Sequence, residues 1–291
     1  MKRQIAAVVT VVVCCLLLGA CWNQQRKAAA TSTEEESTDT LAADSLLEDA
    51  DTLLIDRETA QTPLPAAVDE FFGDFIFNFD QSNRLQRNRI RFPFTIVEAN
   101  GTRRTIQQRE WQHHYLFLQQ DFCTVLWTSH RQMKMAEDTT ITRASVEQIY
   151  LHSRQVNSYR FERDSVSRQW FLTEERVLPF EDVELSDFYD FYSKFTADSI
   201  YQRHHVSNHL RYITYDEENE YEPIKGNINA DQWFEFQPEI PQSVLTNINY
   251  GQAYGKAARI IMQMRGINNG LQNLFTFQRE GDRWRLTVFE N

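Results

Sequence analysis

The side chains with the clearest capacity for chemistry are histidines, a cysteine, arginines and one polar aromatic segment. His205 and His209 lie four residues apart, with His204 beside them. On a helix that pair would share a face and offer two imidazoles to a metal. No cysteine or carboxylate completes the set at a recognised spacing, and no His-Glu-x-x-His occurs, so no metal is expected. His113 and His114, as neighbours in an extended run, would point to opposite sides. Cys123 lies within Phe122-Cys-Thr-Val-Leu126, an apolar strand-like run. That setting suits a small buried side chain, since a reactive thiol needs an accessible, electropositive site. No Gly-x-Ser-x-Gly, phosphate-binding glycine loop or dinucleotide fingerprint occurs, and no cofactor is expected. Arg84, Arg87, Arg89 and Arg91, with Arg103-Arg104, have the charge to hold an anion, although alternating charges also mark an ordinary solvated face. The most site-like segment is Thr246-Asn-Ile-Asn-Tyr-Gly-Gln-Ala-Tyr254, which has no evident counterpart earlier in the chain. The amides of Asn247 and Asn249 and the rings of Tyr250 and Tyr254 suit a sugar or a peptide backbone. The same groups could equally satisfy their own loop. Asp121, Trp111 and Trp233 could line a pocket mouth, and both tryptophans also suit a core.

These residues follow an address segment. Lys2 and Arg3 precede an uncharged apolar run from Ile5 to Leu18, closed by Leu18-Gly-Ala-Cys21. A charged start, a short apolar stretch and small residues before a cut are the marks of a secretory signal. The run is shorter than the roughly 18–20 residues a spanning helix needs. Its ending resembles the lipobox of bacterial lipoproteins, which implies a signal at residues 1–20, cleavage before Cys21 and acylation of that cysteine. Two or more acyl chains hold a protein stably on a membrane. The expected location is the bacterial cell envelope, with the outer membrane favoured on either its periplasmic or its surface face. Cys14 and Cys15 leave with the signal, so Cys123 alone would remain and no internal disulfide is possible.

Residues 21–66 then read as the lipidated cysteine followed by an acidic tether. Ten acidic residues stand there against Arg26, Lys27 and Arg57, and no aromatic follows Trp22. Such a composition cannot bury enough apolar surface to order itself.

Beyond the tether the chain repeats. Val68, Phe71, Phe72, Phe75 and Phe79 form one apolar helical stripe, and Leu185, Phe188, Phe191, Tyr192 and Phe195 form another. At a constant offset of 116, Phe72, Phe75 and Phe79 fall on Phe188, Phe191 and Phe195, and Gln86-Arg87 falls on Gln202-Arg203. Near the end of each half, Phe161-Glu-Arg163 matches Phe277-Gln-Arg279, and Trp170-Phe-Leu-Thr173 matches Trp284-Arg-Leu-Thr287. Two domains, 67–179 and 180–291, are expected. Each reads as a helix followed by strands, with Asn100-Gly101 marking a hairpin. The fold class is α+β: two tandem cystatin-like (nuclear transport factor 2-like) domains, each a helix packed on a curved antiparallel sheet.

The strings Leu85-Gln-Arg87, Arg89-Ile-Arg-Phe-Pro-Phe94, Val146-Glu-Gln-Ile-Tyr-Leu151 and Leu245-Thr-Asn-Ile-Asn-Tyr-Gly-Gln252 resemble a family of uncharacterised bacterial lipoproteins, domain of unknown function 4348. The resemblance implies tandem nuclear transport factor 2-like domains behind a lipobox, and no known catalysis, ligand or cofactor.

The formal charge of -11 argues against a general nucleic-acid binder. That charge is uneven: residues 67–179 carry 15 basic and 14 acidic side chains, residues 180–291 carry 10 and 17. The function expected is a membrane-anchored, non-enzymatic binding module for a peptide, a glycan or a partner protein. The alternative is a small-molecule enzyme of isomerase or dehydratase type using a cone pocket. A deep cavity holding a perturbed carboxylate or histidine would favour the enzyme, whereas a cone filled with Phe and Trp would favour the binder.

Overall fold

The computed structural model describes residues 66–216, 222–267 and 269–291. The signal, Cys21 and the tether as far as residue 65 lie outside them. After a 3-10 turn, helix α1 (Phe72–Gln81) buries Phe72, Phe75, Ile76 and Phe79 on one face. Helix α2 (Asn83–Arg89) begins where the Ser82 hydroxyl accepts from the Leu85 N–H at 3.1 Å. Six strands follow: β1 (Ile90–Val97), β2 (Arg103–Ile106), β3 (Phe122–Trp127), β4 (Arg143–Tyr150), β5 (Gln155–Arg163) and β6 (Trp170–Pro179).

The order then recurs. Helix α3 (Ser186–Ala197) buries Phe188, Phe191 and Phe195, and α4 (Ser199–His205) is capped by Asp198, whose carboxylate accepts from the Ile200 and Tyr201 N–H groups. Ser82 and Asp198 are themselves 116 residues apart. The strands are β7 (Val206–Asp216), β8 (Glu222–Ile228), β9 (Val244–Asn249), β10 (Arg259–Gly266), β11 (Gln272–Glu280) and β12 (Arg283–Glu290). Between β8 and β9 lies α5 (Ala230–Phe236), started by an Asn229/Gln232 capping box.

Two points differ from the sequence expectation. Each sheet is mixed, because the first and last strands of each half are neighbours with the same direction: β1 runs parallel to β6, and β7 parallel to β12. Moreover, the sequence boundary at 179/180 is crossed by two strands. The first sheet runs β2-β1-β6-β5-β4-β9 and the second β3-β10-β11-β12-β7-β8. Strand β9 of the second half completes the first sheet, and β3 of the first half completes the second. Both strands are buried on both faces: Cys123, Val125 and Trp127 face one core while Leu126 faces the other, and Ile248 and Leu245 divide in the same way.

Each core is aromatic. In the first, Phe72, Phe75 and Phe79 close on Phe161 edge to face, with centroids 5.2–5.8 Å apart. In the second, Phe188, Phe191 and Phe195 close on Phe277 in the same way, at 5.4–5.7 Å. Each ring so buried contributes about 1.5–3 kcal/mol of transfer free energy.

Candidate functional site

The segment that the sequence marks as most site-like is a strand and a turn, at the seam where the two exchanged strands cross. Strands β3 and β9 are sheet edges, and an edge leaves backbone donors and acceptors without a ladder partner. In a buried place each of those groups must still be bonded. The seam's polar side chains do this. Thr246 Oγ1 accepts from the Thr124 N–H at 2.9 Å, and the Thr124 hydroxyl donates to the Thr246 carbonyl. Asn247 Oδ1 accepts from the Leu126 N–H at 2.9 Å. Gln252 Nε2 donates to the carbonyls of Leu126 and Ile248 at 3.2 and 3.1 Å. Thr124 and Thr246 occupy the third position of equivalent strands, so the segment has a counterpart after all: it is β3. The likeness is hidden in sequence because β3 reads Phe-Cys-Thr-Val-Leu-Trp and β9 reads Val-Leu-Thr-Asn-Ile-Asn.

Every residue expected to bind ligand can now be placed. Asn247 is fully buried, and its amide N–H groups donate to Glu147 at 2.7 Å and to the Tyr254 hydroxyl at 2.8 Å. Asn249 is half-buried; it caps the turn by accepting from the Gly251 N–H at 2.8 Å and reaches Glu147 at 3.4 Å. Tyr250 is buried and lies parallel to Trp127, centroids 5.8 Å apart. Tyr254 is buried in the second core, its N–H donating to Glu184. These four therefore converge on the seam, while the tryptophans lie away from it, one in each core. Trp111 donates its indole N–H to Gln86 at 3.1 Å, and Trp233 packs edge to face on Phe289. Asp121 is exposed on a loop, and His113 bonds the Asp80 carbonyl at 2.7 Å. His205 closes α4 whereas His209 lies on β7, so they share no helix face. Cys123 is buried, and desolvation pushes its thiol up to about 11.

Three titratable groups stand out, and two of them, Glu147 and Asp80, are not candidates in the sequence. Glu147 on β4 pairs across the ladder with Asn247, and burial holds its carboxyl above the usual range despite the two asparagine bonds. Asp80, at the end of α1, accepts from the Leu116 and Phe117 N–H groups and pins the segment after Trp111; burial raises it too. His114 is shifted down, first by burial and then by the neighbouring His113, and its Nε2 has no partner among the described residues. Glu147 sits in a string already singled out, but a single carboxylate inside it gives no sign of what will face it. Asp80 is spaced as a helix-surface residue, and nothing local shows that a distant loop folds over it.

A perturbed carboxylate facing a cavity would favour an enzyme, and the two cones are where such a cavity would lie. Their interiors are occupied by the aromatic clusters. Among the described residues the buried polar atoms without a partner are the indole N–H groups of Trp170 and Trp233, the Tyr192 hydroxyl, His114 Nε2, Gln120 Oε1 and Arg279 Nε. Among the described residues no group of three or more His, Cys, Asp or Glu is arranged to hold a metal.

With this geometry in hand, the chain can be set beside known proteins. Residues 50–291 match the domain of unknown function DUF4348. The chain belongs to that family. A DUF4348 chain of this kind is also similar to a solved structure, an NTF2-like protein from Bacteroides fragilis NCTC 9343, at 35% identity and a TM-score of 0.72. That match covers 78% of this chain and 98% of the other. The DUF4348 fold seen here is thus NTF2-like. Comparison with curated proteins gives no match.

Proposed function

We propose that the protein is a lipid-anchored, non-catalytic binding module of the bacterial envelope, held by Cys21 on a membrane, the outer membrane in a two-membrane cell. Residues 67–179 and 180–291 are two copies of one NTF2-like unit that exchange a strand, at the end of an acidic tether. Their partner is a peptide, a glycan or another envelope protein. The observation that carries the non-catalytic reading is the packing of both cones with phenylalanine and tryptophan, where a substrate would need space. An enzyme of isomerase or dehydratase type needs that space. Small phenols such as p-cresol, titrated against the intrinsic tryptophan fluorescence, test this directly. Trp111, Trp170, Trp233 and Trp284 all lie in the cores. No saturable change is expected, and a saturable quench would restore the enzyme reading. The anchor has its own test: Cys21→Ala abolishes fatty-acid labelling and frees the protein from membranes, and persistent labelling contradicts it.

A further inference from the structure

The outward face of the second sheet carries an open depression of about 260 Å³, lined by Arg211, Arg259, His130, Thr276, Gln278, Thr287 and Val288. The first sheet shows what this face becomes when it is only a surface. The two sheets can be aligned residue by residue, because each has a bulge at the same place. Thr173 donates to the Arg160 carbonyl at 3.2 Å, and Thr287 donates to the Thr276 carbonyl at 3.2 Å. In the ladders Arg143 faces Glu162 as Arg259 faces Gln278, Arg160 faces Glu174 as Thr276 faces Val288, and Thr95 faces Glu174 as Arg211 faces Val288.

On the first sheet this set is self-neutralising: Arg143 pairs with Glu162 at 3.5 Å and Arg160 with Glu174 at 3.4 Å. On the second, Gln278 and Val288 replace the two carboxylates, Thr276 replaces one arginine, and Arg211 adds another. The result is two guanidiniums with no ion pair among the described residues, beside the exposed His130. The carboxylates two positions further along the same strands are engaged elsewhere: Glu280 with Arg285, and Glu290 with the Tyr215 hydroxyl at 2.7 Å. Arg259 and Arg211 stand three strands apart, about 14 Å between backbones. Their side chains thus enter one depression from opposite sides, over a floor of hydroxyls and an amide.

We infer that this depression binds a small organic polyanion carrying carboxylate or phosphate groups at its two ends, one held by each arginine. A guanidinium fork matches either oxyanion, and the volume lies below the range of drug-sized sites. The inference does not depend on whether Cys21 is lipidated. The test uses the full chain in detergent, with citrate and fructose 1,6-bisphosphate as probes and sodium chloride at equal ionic strength as the control. At least one probe raises the melting temperature saturably beyond the chloride control, and which one does so identifies the oxyanion. Arg211→Gln and Arg259→Gln each weaken binding about tenfold or more, while Arg143→Gln on the equivalent face leaves it within about twofold. Circular dichroism of each variant separates lost binding from lost folding. A shift reproduced by chloride, absent for both probes, or intact in the double arginine variant overturns the site.

Discussion

Phe161 and Phe277, Trp170 and Trp284, and Thr124 and Thr246 fill equivalent places inside the two halves. On the outward sheet faces, by contrast, Glu162 and Glu174 stand where the other half has Gln278 and Val288. The interior positions answer to packing: a ring that closes three others, or a hydroxyl that completes a sheet edge, has few replacements. The outward positions meet water and are free to change, and there the two halves differ, one face being neutral and the other cationic. Similarity between the halves thus marks what holds the fold, and difference marks where a ligand can be engaged.

The sharpest interior exception offers the largest expected effect. Asp69 and Arg89 form a buried ion pair at 2.8 Å that also bonds the backbone of Trp170, while the equivalent residues, Leu185 and His205, form none. Asp69→Ala leaves Arg89 buried without its partner and should cost about 3–5 kcal/mol. Urea unfolding at neutral pH measures this, and a cost below about 1 kcal/mol would remove the pair from the account.

Next comes the seam. Thr246→Val removes the acceptor for the Thr124 N–H and should cost about 1–3 kcal/mol, whereas a valine at a solvated sheet edge is nearly neutral. A single cooperative transition that shifts as a whole shows that the exchanged strands bind the halves into one unit, and a partial transition shows that they do not.

Glu147 gives a pH signature. Its folded pKa lies above its unfolded value, so its stabilising contribution is complete below the unfolded value and is lost as pH rises through the folded one. Glu147→Gln keeps an acceptor for Asn247 and removes the buried charge. The variant should therefore gain in melting temperature relative to the parent between about pH 5 and pH 8. A constant gap across that range shows that the carboxyl is not desolvated in the folded state.

The smallest stability effect belongs to the outward face. Arg211→Gln and Arg259→Gln should change stability by no more than about 0.5 kcal/mol, as exposed, unpaired side chains do. A larger loss in urea unfolding means these arginines hold the sheet.

How much of this was legible in the residues follows the same division. The phenylalanine stripes, the closing Phe and Trp strings and the Asn100-Gly101 hairpin are local or periodic signals, and the structure has helices and strands there. The short helices α2 and α4 went unread although Ser82 and Asp198 stand at equivalent cap positions, because seven residues give too few turns for a periodic stripe. The strand exchange was invisible. Nothing in Phe122–Trp127 or Val244–Asn249 says which sheet each joins, since a strand buried on both faces reads the same in either place. For that reason the amide of Asn247 looked like a group awaiting a ligand, when it completes a buried sheet edge. The depression was out of reach for a related reason: Arg211, Arg259 and His130 are far apart in the chain, and only the β10-β11-β12-β7 order brings them to one face.

The most direct test of this division is a crystal structure of the protein soaked with citrate and p-cresol together. The account predicts density for citrate between Arg211 and Arg259, none on the matching face at Thr95 and Arg143, and none within either cone. Density for p-cresol inside a cone beside Glu147 or His114, with the arginine face empty, would contradict it.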